Sequence, residues 1–449
     1  MTRQNYLRLT LVMVESGGVG RPAPQREGAA DIVVDTDHRG IPHVPATSFA
    51  GALRARVRQR RPQVEDQWFG RVDGNQASAS QIWVLGSRLV DGSGAILTHA
   101  PTVRKTMTTA INRHSGAAAL NTLRTAESLS AGTRFEVYLR WDGNPPMSEL
   151  VAEISGWQPL IGRSTSTGHG RCAVEKVSTG TLDLADPAQC RIWLTKSGPD
   201  LVRAVARRDH TLNTTAPHYD GYAVQLATAG GPLAFSLDAD GNLPDPRRLP
   251  GASIKGVVRS RMEFILRSVG LLGAAECGGV GCGRCLVCRV FGHSAKGAAA
   301  RGSVGQRALL RTPDVTVAGT VRSRTHAPLD RWTGGVAMNS GDEPRVYVSG
   351  NRRGLLHTFE GIEDGLLTLR FEGELPADLV AGFEALLVLV LRDLDDGLLG
   401  MGRATTRGYG GVTVKSATGP GGKTLPTVAQ AQAWLAAEVE AHATKEDSA

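Results

Sequence analysis

The chain has 449 residues, 41% of them hydrophobic and 5% aromatic, with 55 glycines and a formal net charge of +8. That length suits two domains rather than one core. No run of 18 apolar residues is present, so no membrane span is expected, and the scarcity of aromatic rings argues against recognition by base stacking alone. A sequence pI of about 9.4 favours polyanions, because neutralising phosphates releases condensed counterions. The start, Met1-Thr2-Arg3-Gln4-Asn5-Tyr6, has no apolar signal core, which points to a cytoplasmic protein.

Four landmarks recur, in one order, in both halves. The first is Val44-Pro45-Ala46-Thr47-Ser48-Phe49-Ala50-Gly51-Ala52-Leu53-Arg54 against Leu249-Pro250-Gly251-Ala252-Ser253-Ile254-Lys255-Gly256-Val257-Val258-Arg259. Both predict a helix start with a hydroxyl residue able to cap it. Apolar residues then follow at helical spacing: Phe49, Leu53 and Val57, then Ile254, Val258 and Met262. The second landmark is an aromatic-glycine pair, Phe69-Gly70 and Phe291-Gly292. The third pairs Ile111-Asn112-Arg113-His114-Ser115-Gly116 with Leu329-Asp330-Arg331-Trp332-Thr333-Gly334. The fourth is a glycine loop, Gly162-Arg163-Ser164-Thr165-Ser166-Thr167-Gly168-His169-Gly170 and Gly402-Arg403-Ala404-Thr405-Thr406-Arg407-Gly408-Tyr409-Gly410. A helix is expected before each loop, near 146–157 and 377–393. Before each helix comes an alternating strand, with Phe135, Val137 and Leu139, then Leu367, Leu369 and Phe371.

This order predicts an α+β chain of two ferredoxin-like (RRM-like, βαββαβ) modules in tandem, each with a long insertion and with helices on one face of its sheet. The modules are expected over 1–198 and 199–415, with a glycine-rich linker and a C-terminal helix over 416–449. Four of the six cysteines lie within twelve residues, as Cys277-x4-Cys282-x2-Cys285-x2-Cys288. Four thiolates among tight glycine turns match a closed tetrahedral Zn2+ shell, which is structural rather than catalytic. An iron–sulfur cluster uses similar ligands, but nothing else in the chain suggests redox chemistry. Cys172 and Cys190 stand apart and read as small buried residues.

Together, the Pro-x-x-Ser-hydrophobic-x-Gly helix start, the Phe-Gly pair, the Asp-Arg-x-Thr-Gly segment and the Gly-x-Gly tail resemble the RAMP superfamily. The chain looks like two fused backbone subunits of a type III CRISPR effector complex, and the cysteine cluster is similar to a zinc knuckle seen in that family. The resemblance implies that the chain lies along a guide RNA beside other complex subunits, with no membrane partner. It implies that hairpin "thumbs" over 101–130 and 321–350 wedge into the guide–target duplex. Both segments are basic and long for plain loops. Insertion between nucleotides needs an apolar wedge flanked by cations, here Met107 and Ile111, then Leu329 and Trp332. The expected RNA contacts are Arg54, Lys105, Arg113, His114, Arg163, His169 and Arg171 in the first module. In the second they are Lys255, Arg259, His326, Arg331, Trp332, Arg403 and Arg407. The helix starts at Ser48 and Ser253 add anion sites. The glycine loops are expected to approach phosphate through backbone N–H groups.

Some family members cut target RNA beside each thumb, using an Asp with a divalent cation such as Mg2+. The resemblance places that residue at Asp31, with Asp35 and Asp37 as fallbacks. Its carboxylate would help hold the metal or activate the neighbouring 2′-OH. In the second module, aligning Gly241 with Gly40 sets Pro232 opposite Asp31, so that module is expected to bind without cutting. Two other readings stay open: a non-catalytic scaffold subunit of the same complex, and a guide-RNA-processing endoribonuclease.

Overall fold

The computed structural model describes residues 3–23, 30–113, 117–142, 147–212, 220–235, 247–272, 281–294, 304–329, 332, 334, 346–348, 351–352 and 356–446. The chain forms two compact units. Unit 1 comprises Met1–Thr106 and Arg124–His218, and unit 2 comprises Met107–Leu123 and Tyr219–Ala449.

The main sheet of unit 1 holds four long strands: β1 (Arg3–Met13), β2 (Ile82–Val90), β3 (Arg134–Trp141) and β4 (Cys172–Asp183). They lie in the order β4-β1-β3-β2, and every neighbouring pair is antiparallel. Period-two alternation sends Leu7, Leu9, Leu11, Phe135, Val137 and Leu139 to one face, each no more than 2% exposed. Helices α1 (Ala46–Arg60) and α3 (Met147–Ile154) contribute to that core. The expected Phe49, Leu53 and Val57 stripe is fully buried, and each such side chain is worth about 1.5–3 kcal/mol relative to exposure. Pro62 then restarts the chain as α2 (Pro62–Phe69), where Trp68 meets Trp141 edge-on at 5.3 Å.

The sheet is covered on both faces, not one. Tyr6, Tyr138 and Leu182 point away from the first core and bury against Leu201, Val202 and Ala206. Leu201 and Val202 lie on α5 (Gly198–Val205) and Ala206 caps its end; α5 follows α4 (Pro187–Thr195). Arg203 donates to Glu136 at 2.6 Å, and the Tyr138 hydroxyl donates to the same carboxylate at 2.8 Å. Two large tyrosines on the second face need a cover, and the residues after β4 supply it.

Unit 2 repeats the plan. Its strands are β5 (Gly221–Thr228), β6 (Ala318–His326), β7 (Leu356–Glu372) and β8 (Val412–Thr418). β5 lies between β8 and β7, and β6 pairs along the outer side of β7. The register shift between Thr10 and Leu11, opposite β4, recurs between Gln225 and Leu226, opposite β8. Helix α6 (Gly251–Ser268) buries Ile254, Val258 and Met262. After the short α7 (Leu286–Phe291), helix α8 (Ala377–Asp395) is buried on nearly every side. It can be so because α9 (Val428–Glu446) covers it with Ala431 and Trp434. A Cβ on Gly382 of α8 would sit 2.2 Å from Leu286 and 2.9 Å from Trp434, so glycine sets that approach. The residues before α9 are not a bare linker: β8 runs to Thr418 and a 3-10 turn occupies Pro420–Gly422.

The helix starts are capped differently from expectation. Pro45 and Pro250 occupy the caps, and neither makes a side-chain cap bond. Proline has no N–H and its fixed φ suits a helix entry. In unit 2, Asp314 accepts from the Gly251 N–H at 2.9 Å. In unit 1, Ser87 Oγ accepts from the Val44 N–H at 2.8 Å and donates to the Val44 carbonyl at 3.0 Å.

Candidate nucleic-acid interface

In unit 1, Asp31 stands directly before the short strand Ile32–Val34. That strand pairs with Gly20–Pro22 on one side and meets Arg124–Ser128 in parallel, through Ile32 and Ala126, on the other. Arg124–Ser128 is the return strand of the first insertion and neighbours Arg104–Thr108. The acidic loop thus adjoins the root of the insertion. Asp31 is exposed, and its Oδ2 accepts from the Thr125 N–H at 2.7 Å. Glu127, on the same return strand, accepts from the Val34 N–H at 3.2 Å.

The two fallback carboxylates are more committed. Asp35 lies 3.5 Å from Arg21 and 3.6 Å from His43 Nε2. The Asp37 side chain is 7% exposed and closes its own turn. It accepts from the Arg39 and Ile41 N–H groups at 2.9 and 3.1 Å, and pairs with the Arg39 and Arg88 guanidiniums. Burial alone would push the Asp37 carboxyl up, but the Ile41 and Arg39 hydrogen bonds hold it below the usual range. Of the three, Asp31 is the carboxylate on an open surface.

The glycine loops match in conformation. In unit 1, φ is +94° at Gly162, +55° at Ser164, +92° at Gly168 and +75° at Gly170; in unit 2 it is +82° at Gly402, +61° at Ala404, +80° at Gly408 and +77° at Gly410. A non-glycine residue takes the left-handed region at one position in both loops, at a cost of about 1–2 kcal/mol each. Several glycines serve contacts inside the protein. A Cβ on Gly170 would lie 2.1 Å from the Ile161 carbonyl, and one on Gly410 1.9 Å from that of Met401. Around Gly408 there is open space.

The loops also correct the alignment of the acidic segments. Gly170 N donates to Ser16 O and Gly410 N donates to Pro232 O, both at 3.0 Å. Pro232 is therefore the counterpart of Ser16, not of Asp31. Counting along a shortened segment misplaced it, and the second-module residues that follow, 236–246 with Asp238, lie outside those described.

The cations around the loops differ between units. Arg163 is half-buried, lies within 3.1 Å of where a Gly20 Cβ would be, and donates to the Glu127 carbonyl at 3.1 Å. Burial pushes its guanidinium below its ordinary pKa. Arg171 is buried and lies 3.5 Å from Glu15, while His169 is partly exposed. In unit 2, Arg403 and Arg407 both lie over the Phe359 ring, at 5.3 and 5.2 Å. Phe359 contacts Tyr409 and His326, and His326 Nε2 lies 2.8 Å from the Tyr409 hydroxyl. His326, Arg403 and Arg407, expected RNA contacts, thus meet Phe359 and Tyr409, two residues that the sequence reading did not single out. Counted from the matched strand residues Phe135 and Leu367, Phe359 stands where unit 1 has Glu127, a correspondence available from the repeat.

Arg54 and Arg259, the expected RNA contacts on the helices, share an internal task. Arg54 donates to Gly70 O at 3.4 Å and Arg259 to Gly292 O at 2.8 Å, tying each Phe-Gly turn to its helix. Arg54 also pairs with Glu65 at 2.6 Å, and Arg259 with Glu263 at 2.9 Å. Ser48 is partly exposed and Ser253 exposed on the first helical turns. Lys255 packs 6.0 Å from the Phe291 ring; burial first, then Arg259 and Arg307, lower its pKa to about 8.

The insertions display apolar side chains to solvent. Met107 and Ile111 are exposed, as are Leu329 and, at 97%, Trp332. Lys105 is exposed, whereas Arg113 is 18% exposed and pairs with Glu263. His114 and Arg331 lie outside the described residues.

Cys282, Cys285 and Cys288 bring their Sγ atoms within 4.8 Å of one another, a group able to bind a metal ion. Cys277 lies outside the described residues. The Cys282 sulfur accepts from the N–H groups of Arg284 and Cys285 at 3.4 and 3.2 Å, and the Cys285 sulfur from that of Cys288 at 3.4 Å. Converging sulfurs with N–H groups aimed at them suit thiolate ligands. Cys172 is buried, and burial pushes its thiol up to about 12, as for an inert core residue.

A protein-family model described as the RAMP superfamily matches residues 12–173 and 241–413. No curated protein matches the chain. Among solved structures, a type III-B Cmr-beta cryo-EM structure in the apo state is 13% identical, with a TM-score of 0.30 over 38% of this chain and 96% of that one. The type III-B Cmr-beta structure bound to cognate target RNA is 12% identical, with a TM-score of 0.31 over the same shares.

Proposed function

Because this chain belongs to the RAMP superfamily and carries its unit twice in tandem, we propose that it is a guide-RNA-binding backbone subunit of a type III CRISPR effector complex and that its first repeat cleaves target RNA. The observation that carries this is the placement of Asp31. An exposed carboxylate adjoins the root of an insertion that presents Lys105, Met107 and Ile111 to solvent. Strand order β4-β1-β3-β2, with helices after the first and third strands, supports reading each repeat as ferredoxin-like.

In this reading the two insertions are thumbs. Their exposed apolar side chains separate neighbouring nucleotides while cations hold the flanking phosphates. The glycine loops line the guide, with Arg403 and Arg407 held over Phe359 and aimed at phosphate. Asp31, an exposed hard oxygen donor, fits a divalent cation such as Mg2+, which when bound neutralises charge at the scissile phosphate. The Asp31 carboxylate, fixed by Thr125 N–H, orients or deprotonates the attacking 2′-OH. The three cysteines, with Cys277, hold a structural Zn2+. No helix among the described residues is long and apolar enough to cross a membrane.

The test is target cleavage by the assembled complex with guide and labelled complementary RNA, with and without chelator. Metal-dependent cutting by wild type, lost in Asp31→Ala with RNA binding retained, is expected. An intact target in wild type leaves the chain as a scaffold. Metal-independent cutting of a precursor guide by the isolated protein makes it a processing enzyme instead.

A further inference from the structure

Met107–Leu123 falls within the first repeat by sequence, yet it packs as part of unit 2. Its anchor is Arg113, whose Nε donates to Glu263 at 2.7 Å. Glu263 is fully buried on α6. An isolated carboxylate there would be prohibitively costly, and it persists because cations surround it. Besides Arg113 it meets Arg259 at 2.9 Å and Arg267 at 3.9 Å, and Arg267 also donates to the Arg113 carbonyl at 3.5 Å.

Arg259 is where this anchor meets the cysteine cluster. Its Nε reaches Glu263, its Nη1 reaches Gly292 O at 2.8 Å, and its Nη2 reaches Cys288 Sγ at 3.4 Å. A guanidinium is a rigid planar fork, so fixing one donor constrains the other two. A metal held by Cys282, Cys285 and Cys288 would fix the Cys288 sulfur and, through the fork, the Glu263 carboxylate that receives Arg113.

We propose that the cysteine cluster and the 107–123 segment are coupled through Arg259 and Glu263, so that metal bound at the cluster holds this segment in place. The inference goes beyond RNA binding and rests on the metal-binding reading of the cluster. Arg259 and Glu263 are positioning residues: they act on the segment through Arg113.

Hydrogen–deuterium exchange on the intact chain, beside elemental analysis of the same sample, tests it. Stripping the metal with a chelator should speed exchange in peptides covering 107–123 about tenfold, as loss of one hydrogen bond to a charged group implies, while β1 and β3 stay protected. Arg113→Ala should produce the same rise with metal content unchanged. Arg259→Met should free the segment with the metal retained and abolish its response to chelator. Metal loss without a change in 107–123 overturns the coupling alone. An equal rise throughout unit 2 also overturns it, making the metal a general staple. Protein isolated without metal defeats both the coupling and the metal reading.

Discussion

Gly410 and Gly408 stand two residues apart in one loop, both in the left-handed region, at +77° and +80°. Alanine at Gly408 meets open space, so it bears only the left-handed penalty of about 1–2 kcal/mol, partly offset by a stiffer unfolded chain. Net destabilisation is about 1 kcal/mol. At Gly410 the new Cβ would lie 1.9 Å from the Met401 carbonyl oxygen, and relief requires parting two backbone segments. The bonds Met401 N to Gly410 O, 2.9 Å, and Gly410 N to Pro232 O, 3.0 Å, sit at that contact. Each is worth about 1 kcal/mol, so Gly410→Ala should cost about 3 kcal/mol. For a domain of roughly 250 residues this lowers Tm by about 6–12 °C, against about 2–4 °C for Gly408→Ala. Calorimetry of the unit 2 transition reads both. Equal losses for the two variants would show that close backbone approach does not dictate glycine at 410.

Other consequences are open to measurement. The Arg58 and Arg54 hydrogen bonds hold Glu65 down to about 2, from an ordinary 4.5. The stabilisation is therefore complete above about 4.5 and lost as pH falls toward 2, so Glu65→Gln should be less stable than wild type near neutrality and converge with it in acid. Asp37→Ala should destabilise unit 1 by about 1–3 kcal/mol, because it removes the charged acceptor of the Arg39 and Ile41 N–H groups that close its turn, while cleavage by the folded fraction persists; loss of cleavage at full stability would move the catalytic role to Asp37. Arg403→Ala and Arg407→Ala should each weaken guide-RNA binding for all sequences alike and reduce the salt slope by about 1, as anisotropy titrations across salt would show. Cys288→Ser should lose bound metal in elemental analysis; undiminished content would place the ligands elsewhere.

What the sequence disclosed was periodic or repeated. The triplets Phe49, Leu53, Val57 and Ile254, Val258, Met262 lie in their cores as helical spacing requires. The strand triplets at Phe135 and Leu367 do so by alternation, and the glycine loops match angle for angle. What stayed hidden depends on partners distant in sequence. Arg113 reads as a surface cation until Glu263, 150 residues away, is beside it. The bonds of Arg54 and Arg259 to the Gly70 and Gly292 carbonyls are likewise not legible from either helix alone. The cover on the second face of unit 1 comes from short helices after β4 whose burial depends on Tyr6 and Tyr138. Pro232 was misassigned because residue counting cannot detect a shortened loop, whereas the shared hydrogen bond to the glycine loop can.

In the proposed function both repeats lie along one guide RNA. Photo-crosslinking of guide RNA in the assembled complex, followed by peptide mapping, tests it most directly. Crosslinks are expected in both repeats, at the insertion strands and at the glycine loops, with the two repeats marking separate guide positions in chain order. Crosslinks confined to one repeat, or absent from both, would contradict it.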